Sequence, residues 1–202
     1  MKLLRIFAGL LAALASAAHA TEEPRFEVLQ RYEDFEVRQY APYLVAEVLV
    51  AGPADEAGNQ GFGILAGYIF GKNKGDRRLE MTAPVTQSAA PAKLEMTAPV
   101  TQAAAPGGFT VQFVMPAGFT LATLPEPLDG RITLREVAGN KVAVIRYAGS
   151  WSQQKYGEQL AKLQGAVAQQ GLQTEGEPVF SRYNAPFVPS FLRRNEVWLR
   201  VK

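Results

Sequence analysis

The chain has 202 residues, 48% of them hydrophobic, with 21 Lys+Arg against 19 Asp+Glu and a formal net charge of +2. It has no cysteine and a single histidine, His19. Disulfides and cysteine nucleophiles are therefore excluded, and a Ser-His-Asp triad or a histidine-ligated metal would have to rest on His19 alone.

Lys2 and Arg5 precede the apolar run Ile6 to Ala18, and Ala18-His19-Ala20 supplies small residues at the cleavage positions. This pattern predicts a secretion signal peptide over 1–20, since the run is shorter than the roughly 20 residues that cross a bilayer. The expected mature chain, 21–202, is periplasmic or secreted, with no transmembrane segment after cleavage. Losing Lys2 and Arg5 leaves 19 Lys+Arg against 19 Asp+Glu, so the formal charge becomes zero. That balance predicts no nucleic-acid partner. Cleavage also removes His19, so histidine ligation of a metal or haem iron is excluded for the mature chain. Residues 21–202 suit a single domain with its own core.

Period-two alternation predicts half-buried antiparallel strands at Phe35-Val37, Leu44 to Val50, Val111 to Met115, Ile132-Leu134, Val142-Val144 and Val197 to Val201. The first helical spacing runs near Asp55 to Phe70. Gly58, Gly61, Gly63 and Gly67 would each cost about 0.8–1 kcal/mol relative to alanine there, so this helix needs outside support. On a helical wheel Gly58, Phe62, Leu65 and Ile69 share a core-like face. Asn59, Gly63, Ala66, Gly67 and Phe70 form an adjoining, nearly flat face. It admits a close neighbour, either a strand of the same chain, which sequence alone favours, or a planar apolar ligand.

The octapeptide EMTAPVTQ follows twice, at Glu80 to Gln87 and Glu95 to Gln102; the fifteen-residue units starting at Leu79 and Leu94 agree at 12 of 15 positions. Each is a short strand-like run followed by Ala/Pro/Gly punctuation, so the simplest product is a hairpin. Pro84 and Pro99 cannot donate to a ladder, which predicts a sheet edge or a bulge. Pro125 to Gly130 reads as a hinge between two halves of similar element order.

The second helix is expected near Ser152 to Gln170, with Tyr156, Leu160, Leu163 and Val167 on one stripe. Ser150 with Gln153 resembles a capping box, and Gly171 is a C-terminal stop. Beyond it, Asn184 to Leu192 holds two prolines and two phenylalanines, a stiff loop suited to closing one end of a groove. Trp151 and Trp198 read as core or rim residues. The expected fold class is α+β: a distorted antiparallel β-barrel built from two βαββ-like halves and flanked by two α-helices.

Six segments closely resemble the SOUL haem-binding protein family: YEDFEVRQYAPYLVAEV at 32–48, GFGILAGYIFGKN at 61–73, both EMTAPVTQ copies, VQFVMP at 111–116 and PSFLRRNEVWL at 189–199. The resemblance implies one domain with that barrel architecture, and binding of haem or a related tetrapyrrole, a small planar hydrophobic ligand, in an apolar groove beside the first helix. It places Asn59, Phe62, Ala66 and Ile69 on the groove side of that helix. With the flat face and the loop, the candidate cofactor-binding residues are Asn59, Phe62, Gly63, Ala66, Gly67, Ile69, Phe187 and Phe191. Some relatives carry an arginine and methionines on this helix where this chain has Asn59, Phe62 and Ala66. Tyr68, Lys72, Met81, Met96 and Met115 are the residues available to touch iron, and the expectation is that none is a strong axial ligand. Two other functions fit the same chain. One is a hydrolase or small-molecule modifying enzyme relying on carboxylates and tyrosines; the other is an interaction module using the extra EMTAPVTQ hairpin as a docking edge.

Overall fold

The computed structural model describes residues 22–89, 107–185 and 187–202. In chain order it contains β1 (Phe26–Arg31), β2 (Glu36–Tyr40), β3 (Tyr43–Val50), α1 (Ala54–Ile69), β4 (Val85–Ala89), β5 (Phe109–Val114), β6 (Ile132–Val137), β7 (Lys141–Ala148), α2 (Gln153–Gln169), β8 (Thr174–Arg182), a short 3-10 turn (Ser190–Leu192) and β9 (Arg194–Val201). These nine strands form one antiparallel sheet in the order β1-β2-β7-β9-β8-β4-β5-β3-β6, curled into a distorted half-barrel with both helices against one face.

The strand order exposes an internal repeat. Two ββαββ units, β2 to β5 and β6 to β9, each place three strands in their own half of the sheet and lend their first strand to the other half. The expected halves are present, each with one additional, swapped leading strand. The pseudo-two-fold relation places the centre of the sheet between β8 and β4, which pair directly. The hinge expected at Pro125 to Gly130 lies in the connection between the two units.

α1 packs on β3 and β5, α2 on β7 and β9. Under α1, Ala46, Val48, Val50, Val111 and Phe113 meet Ala57, Leu65, Tyr68 and Ile69. Under α2, Ala143, Ile145, Val197 and Leu199 meet Leu163 and Val167. The outside support required by the glycine-rich α1 is this packing, since its N-cap, Pro53, makes no side-chain cap bond. At Gly61 the helix touches the sheet: a Cβ there would stand 2.6 Å from Val111 Cγ2. At α2 the cap is Ser152, whose hydroxyl accepts from the Lys155 backbone N–H at 3.2 Å. This corrects the Ser150–Gln153 capping box by two residues, while Gly171 ends the helix in the left-handed region at φ +67° as expected.

The first EMTAPVTQ copy is not at an edge. Its strand, β4, pairs with β5 on one side and β8 on the other. Pro84 is tolerated because it stands just before the first paired residue, Val85, so its missing N–H costs no ladder bond. The second copy, and the hairpin expected of it, lie outside the described residues.

On the face opposite the helices, Glu196 is fully buried. It accepts from both Nη groups of Arg38 (2.9 and 3.2 Å), from Arg194 Nε and Nη2 (3.0 and 2.8 Å), from the Tyr183 hydroxyl (2.7 Å) and from Trp198 Nε1 (2.8 Å). Arg38 also meets Glu36, and Arg194 meets Glu23, so the buried charges are paired on every side.

Candidate functional site

Because α1 covers β3 and β5 while α2 covers β7 and β9, the two central strands β8 and β4 are left as the floor of a valley between the helices. A cavity of about 250 Å³ occupies this valley, between Ala54 at the start of α1 and Trp151, Tyr156 and Leu160 at the start of α2, over Gln87, Phe180 and Arg182. A smaller hollow of about 100 Å³ continues it beneath Gly58, Asn59 and Phe62 of α1, down to Asn184. Trp151 and Arg182 line both, so they mark the junction.

Trp151 is held rigidly there. Its Nε1–H donates to Asn195 Oδ1 at 2.8 Å, and the Arg193 guanidinium lies 4.2 Å from its ring centre. Arg182 sits over two rings, 5.1 Å from Trp151 and 5.0 Å from Phe180, and Phe180 in turn packs on Tyr156 at 5.2 Å. The groove thus presents aromatic walls and a guanidinium between them. Burial, with Glu177 adding to it, pushes the Tyr156 phenol above its usual pKa. Burial likewise raises Tyr147, against the opposing charge of Arg182, and its enclosed hydroxyl has no hydrogen-bond partner among the described residues.

The candidate residues named from sequence divide into four groups. Asn59 and Phe62 line the smaller compartment, and Phe62 meets Phe113 edge-on at 5.3 Å. Ala66 packs against the core, and Ile69 is 1% exposed within it, so Ile69 faces the sheet and not the groove. Gly63 and Gly67 line a separate polar hollow with Lys72, Asp129 and Arg131. The flat face therefore meets neither strand nor groove at Gly63, where a Cβ would find nothing within 4 Å.

Phe187 and Phe191 are 88% and 73% exposed, on the loop that leaves the groove at Asn184. That loop is tied back by Arg193 Nε to the Val188 carbonyl at 2.7 Å and by the Arg194 N–H to Asn184 Oδ1 at 2.6 Å. Of the side chains available to iron, Tyr68 is buried and donates to the Pro125 carbonyl at 2.9 Å, and Lys72 belongs to the separate hollow. Met115 is buried in the core, Met81 is 39% exposed, and Met96 lies outside the described residues.

Sequence reasoning missed Arg182, Phe180 and Tyr156 as groove residues and placed Trp151 only as core or rim. The stripe that named Tyr156 was the available signal; β8, which carries Phe180 and Arg182, shows no clean alternation because Gly176 and Pro178 interrupt it.

The family model described as SOUL heme-binding protein matches residues 21–200. Human heme-binding protein 2 is 29% identical over 194 residues, covering 93% of this chain and 90% of that protein. The mouse protein of the same name is 30% identical over 168 residues, covering 82% and 77%. Among solved structures, the EcmrR C-terminal domain superposes with a TM-score of 0.57 at 11% identity, covering 88% of this chain and 98% of that one. A hydrolase from Listeria innocua reaches 0.55 at 12% identity, covering 86% and 94%. At such identities these two structures share the fold alone.

Proposed function

The chain belongs to the SOUL heme-binding protein family, and from that membership we propose that it is an exported protein that binds haem or a related tetrapyrrole in the groove between α1 and α2. The observation that carries this reading is the Trp151–Arg182 junction, where aromatic walls meet a cation. A planar macrocycle with acidic substituents needs that pairing of apolar contact and positive charge. Phe62, Trp151, Tyr156 and Phe180 would hold the ring system and Arg182 a carboxylate. The cavities, about 250 and 100 Å³, each fall below the ~300–1,000 Å³ typical of small-molecule sites, so part of the ligand stays at the surface. Such a site suits a carrier, buffer or scavenger, which must release what it binds.

Bound haem would supply iron and its redox chemistry; this chain's residues supply contact area and charge. The protein contributes no strong axial ligand in this reading. Tyr156 is the phenol in the groove lining, and burial opposes the deprotonation that would make it a good ligand. Haemin titration should give a saturable Soret shift with one site, and iron-free protoporphyrin should bind within a few-fold of haemin. Linear, unsaturable partition would refute tetrapyrrole binding. A preference for haemin above about 100-fold, or ~2.7 kcal/mol, would refute the ligand-free iron.

Export is supported by Lys2, Arg5 and the apolar run to Ala18, and by the family match beginning at residue 21. Among the described residues no helix is long and apolar enough to cross a membrane. Mass spectrometry of the protein from the cell envelope or medium should find a chain starting near Thr21; an intact Met1 there would contradict the reading. A hydrolase would need acid–base groups placed as a pair, and among the described groove residues Glu177 is the single carboxylate.

A further inference from the structure

Side chains alternate across a strand, so the residues beside those that floor the groove point to the other face of the sheet. On β8 the groove side holds Phe180 and Arg182, and Val179 faces the opposite way; on β4 the same alternation separates Gln87 from Thr86. That opposite face encloses its own cavity of about 460 Å³, well within the ~300–1,000 Å³ range of small-molecule sites. Among the described residues the two spaces share lining only at Ser88 and Ala89, at the end of β4, and at Glu177 on β8.

The composition of this second cavity differs from that of the groove. Trp198, Val142 and Val179 give it an apolar side, and Tyr43, Arg135 and Arg200 line it as well. Arg135 uses its Nε on Glu47 Oε2 at 2.8 Å, and Gln112 Nε2 donates to the same oxygen at 2.7 Å. Among the described residues Arg200 forms no ion pair, although Glu175 stands opposite it in the β8–β9 register. Burial raises the Tyr43 pKa, and the charges of Arg135 and Arg200 both pull it back, so two guanidinium fields converge on one phenol. Glu47 holds Arg135, and Glu175 and Glu177 also line the cavity, so Arg200 is the lining guanidinium left without an ion pair among the described residues.

We propose that the concave face of the sheet is a second ligand site, for an amphipathic anion whose carboxylate or sulfonate meets Arg200 and Arg135 while its apolar body lies on Trp198. The site is independent of the groove and of tetrapyrrole binding. An unsatisfied guanidinium beside an indole recognises charge and apolar area together, which a neutral ligand of the same shape cannot exploit.

The test uses 8-anilino-1-naphthalenesulfonate and its neutral counterpart N-phenyl-1-naphthylamine, which keeps the rings and lacks the sulfonate. Fluorescence titration of the whole protein should show one saturable site, with the sulfonate bound about tenfold more tightly than the amine. Arg200→Gln, at an exposed side chain, should abolish that preference, and Arg182→Gln in the groove should leave it intact. Equal affinities, a failure to saturate, or a preference lost in Arg182→Gln and kept in Arg200→Gln would overturn the proposal. None of these outcomes depends on whether haemin binds.

Discussion

The guanidinium of Arg182 lies 5.1 Å from the centre of the Trp151 ring, at the point where the two compartments of the groove meet. The indole is pinned by Asn195, so the cation rests on a rigid support. A charge held this way loses little freedom when it meets a carboxylate. Arg182→Gln is expected to weaken haemin binding about tenfold, the share of a single charge-assisted contact. Iron octaethylporphyrin, which has no carboxylates, should bind both proteins alike. Parallel Soret titrations read the difference; an equal loss for both porphyrins would make Arg182 a packing residue instead.

The Glu196 cluster predicts the acid stability of the fold. Burial alone would raise the Glu196 pKa, but the charge and hydrogen bonds of Arg38, followed by Arg194 and Tyr183, outweigh it and hold the carboxyl below its ordinary range. With the folded value depressed, the ionised group stabilises the protein above its unfolded pKa of about 4.3, and that contribution is lost as pH falls through the folded value. Urea unfolding should therefore show stability declining as pH drops below about 4.3. Glu196→Gln leaves Arg38 and Arg194 short of a buried counter-charge, so it should cost about 3–5 kcal/mol at pH 7 and flatten the acid decline. An unchanged midpoint at pH 7 would contradict this.

The loop bearing Phe187 and Phe191 gives a kinetic prediction. Both rings are largely exposed, so changing the pair to serine should alter folding stability by no more than about 0.5 kcal/mol per site. The loop nevertheless starts at Asn184 in the smaller compartment and is bound to Arg193, which covers Trp151. If the phenyl rings fold over a bound macrocycle, the double variant should release haemin several-fold faster with little change in association rate. Stopped-flow transfer of haemin to a high-affinity acceptor measures this; identical release rates would remove the loop from the site.

How far the sequence discloses this molecule depends on the range of the interaction involved. Alternation in β3, β5, β7 and β9 and the stripe on α2 are local, and each element lies where its pattern indicates. The exchange of β2 and β6 between half-sheets is set by pairings between strands far apart in the chain, such as Val37 with Ala143 and Val48 with Ile132, and leaves no local trace. The groove follows the same division. The family resemblance put Asn59 and Phe62 on the groove side of the helix, and both line the smaller compartment, but Arg182 comes from a strand broken by Gly176 and Pro178. Gly63 and Gly67 show the limit of a helical wheel: it groups residues on a face and is silent about what that face meets.

Two glycines on α1, two residues apart, have opposite surroundings and should respond oppositely to the same substitution. At Gly61 an added Cβ would stand 2.6 Å from Val111 Cγ2 and 2.7 Å from Val111 Cβ, so the helix would have to move off β5. Overpacking of this kind typically costs about 1–3 kcal/mol, more than the ~1 kcal/mol that alanine gains over glycine in helix propensity. At Gly63 the new methyl group meets nothing within 4 Å, so the propensity gain is unopposed. Gly61→Ala is thus expected to lower the unfolding free energy by up to about 2 kcal/mol and Gly63→Ala to raise it by just under 1 kcal/mol. Haemin affinity separates a structural role from a ligand role for the same face. Gly63 lies in the hollow with Lys72 and Asp129, away from Trp151, so Gly63→Ala should bind haemin as the parent does. A marked loss of affinity in that variant would return the flat face of α1 to the site and displace the Trp151–Arg182 groove as the place where the macrocycle rests.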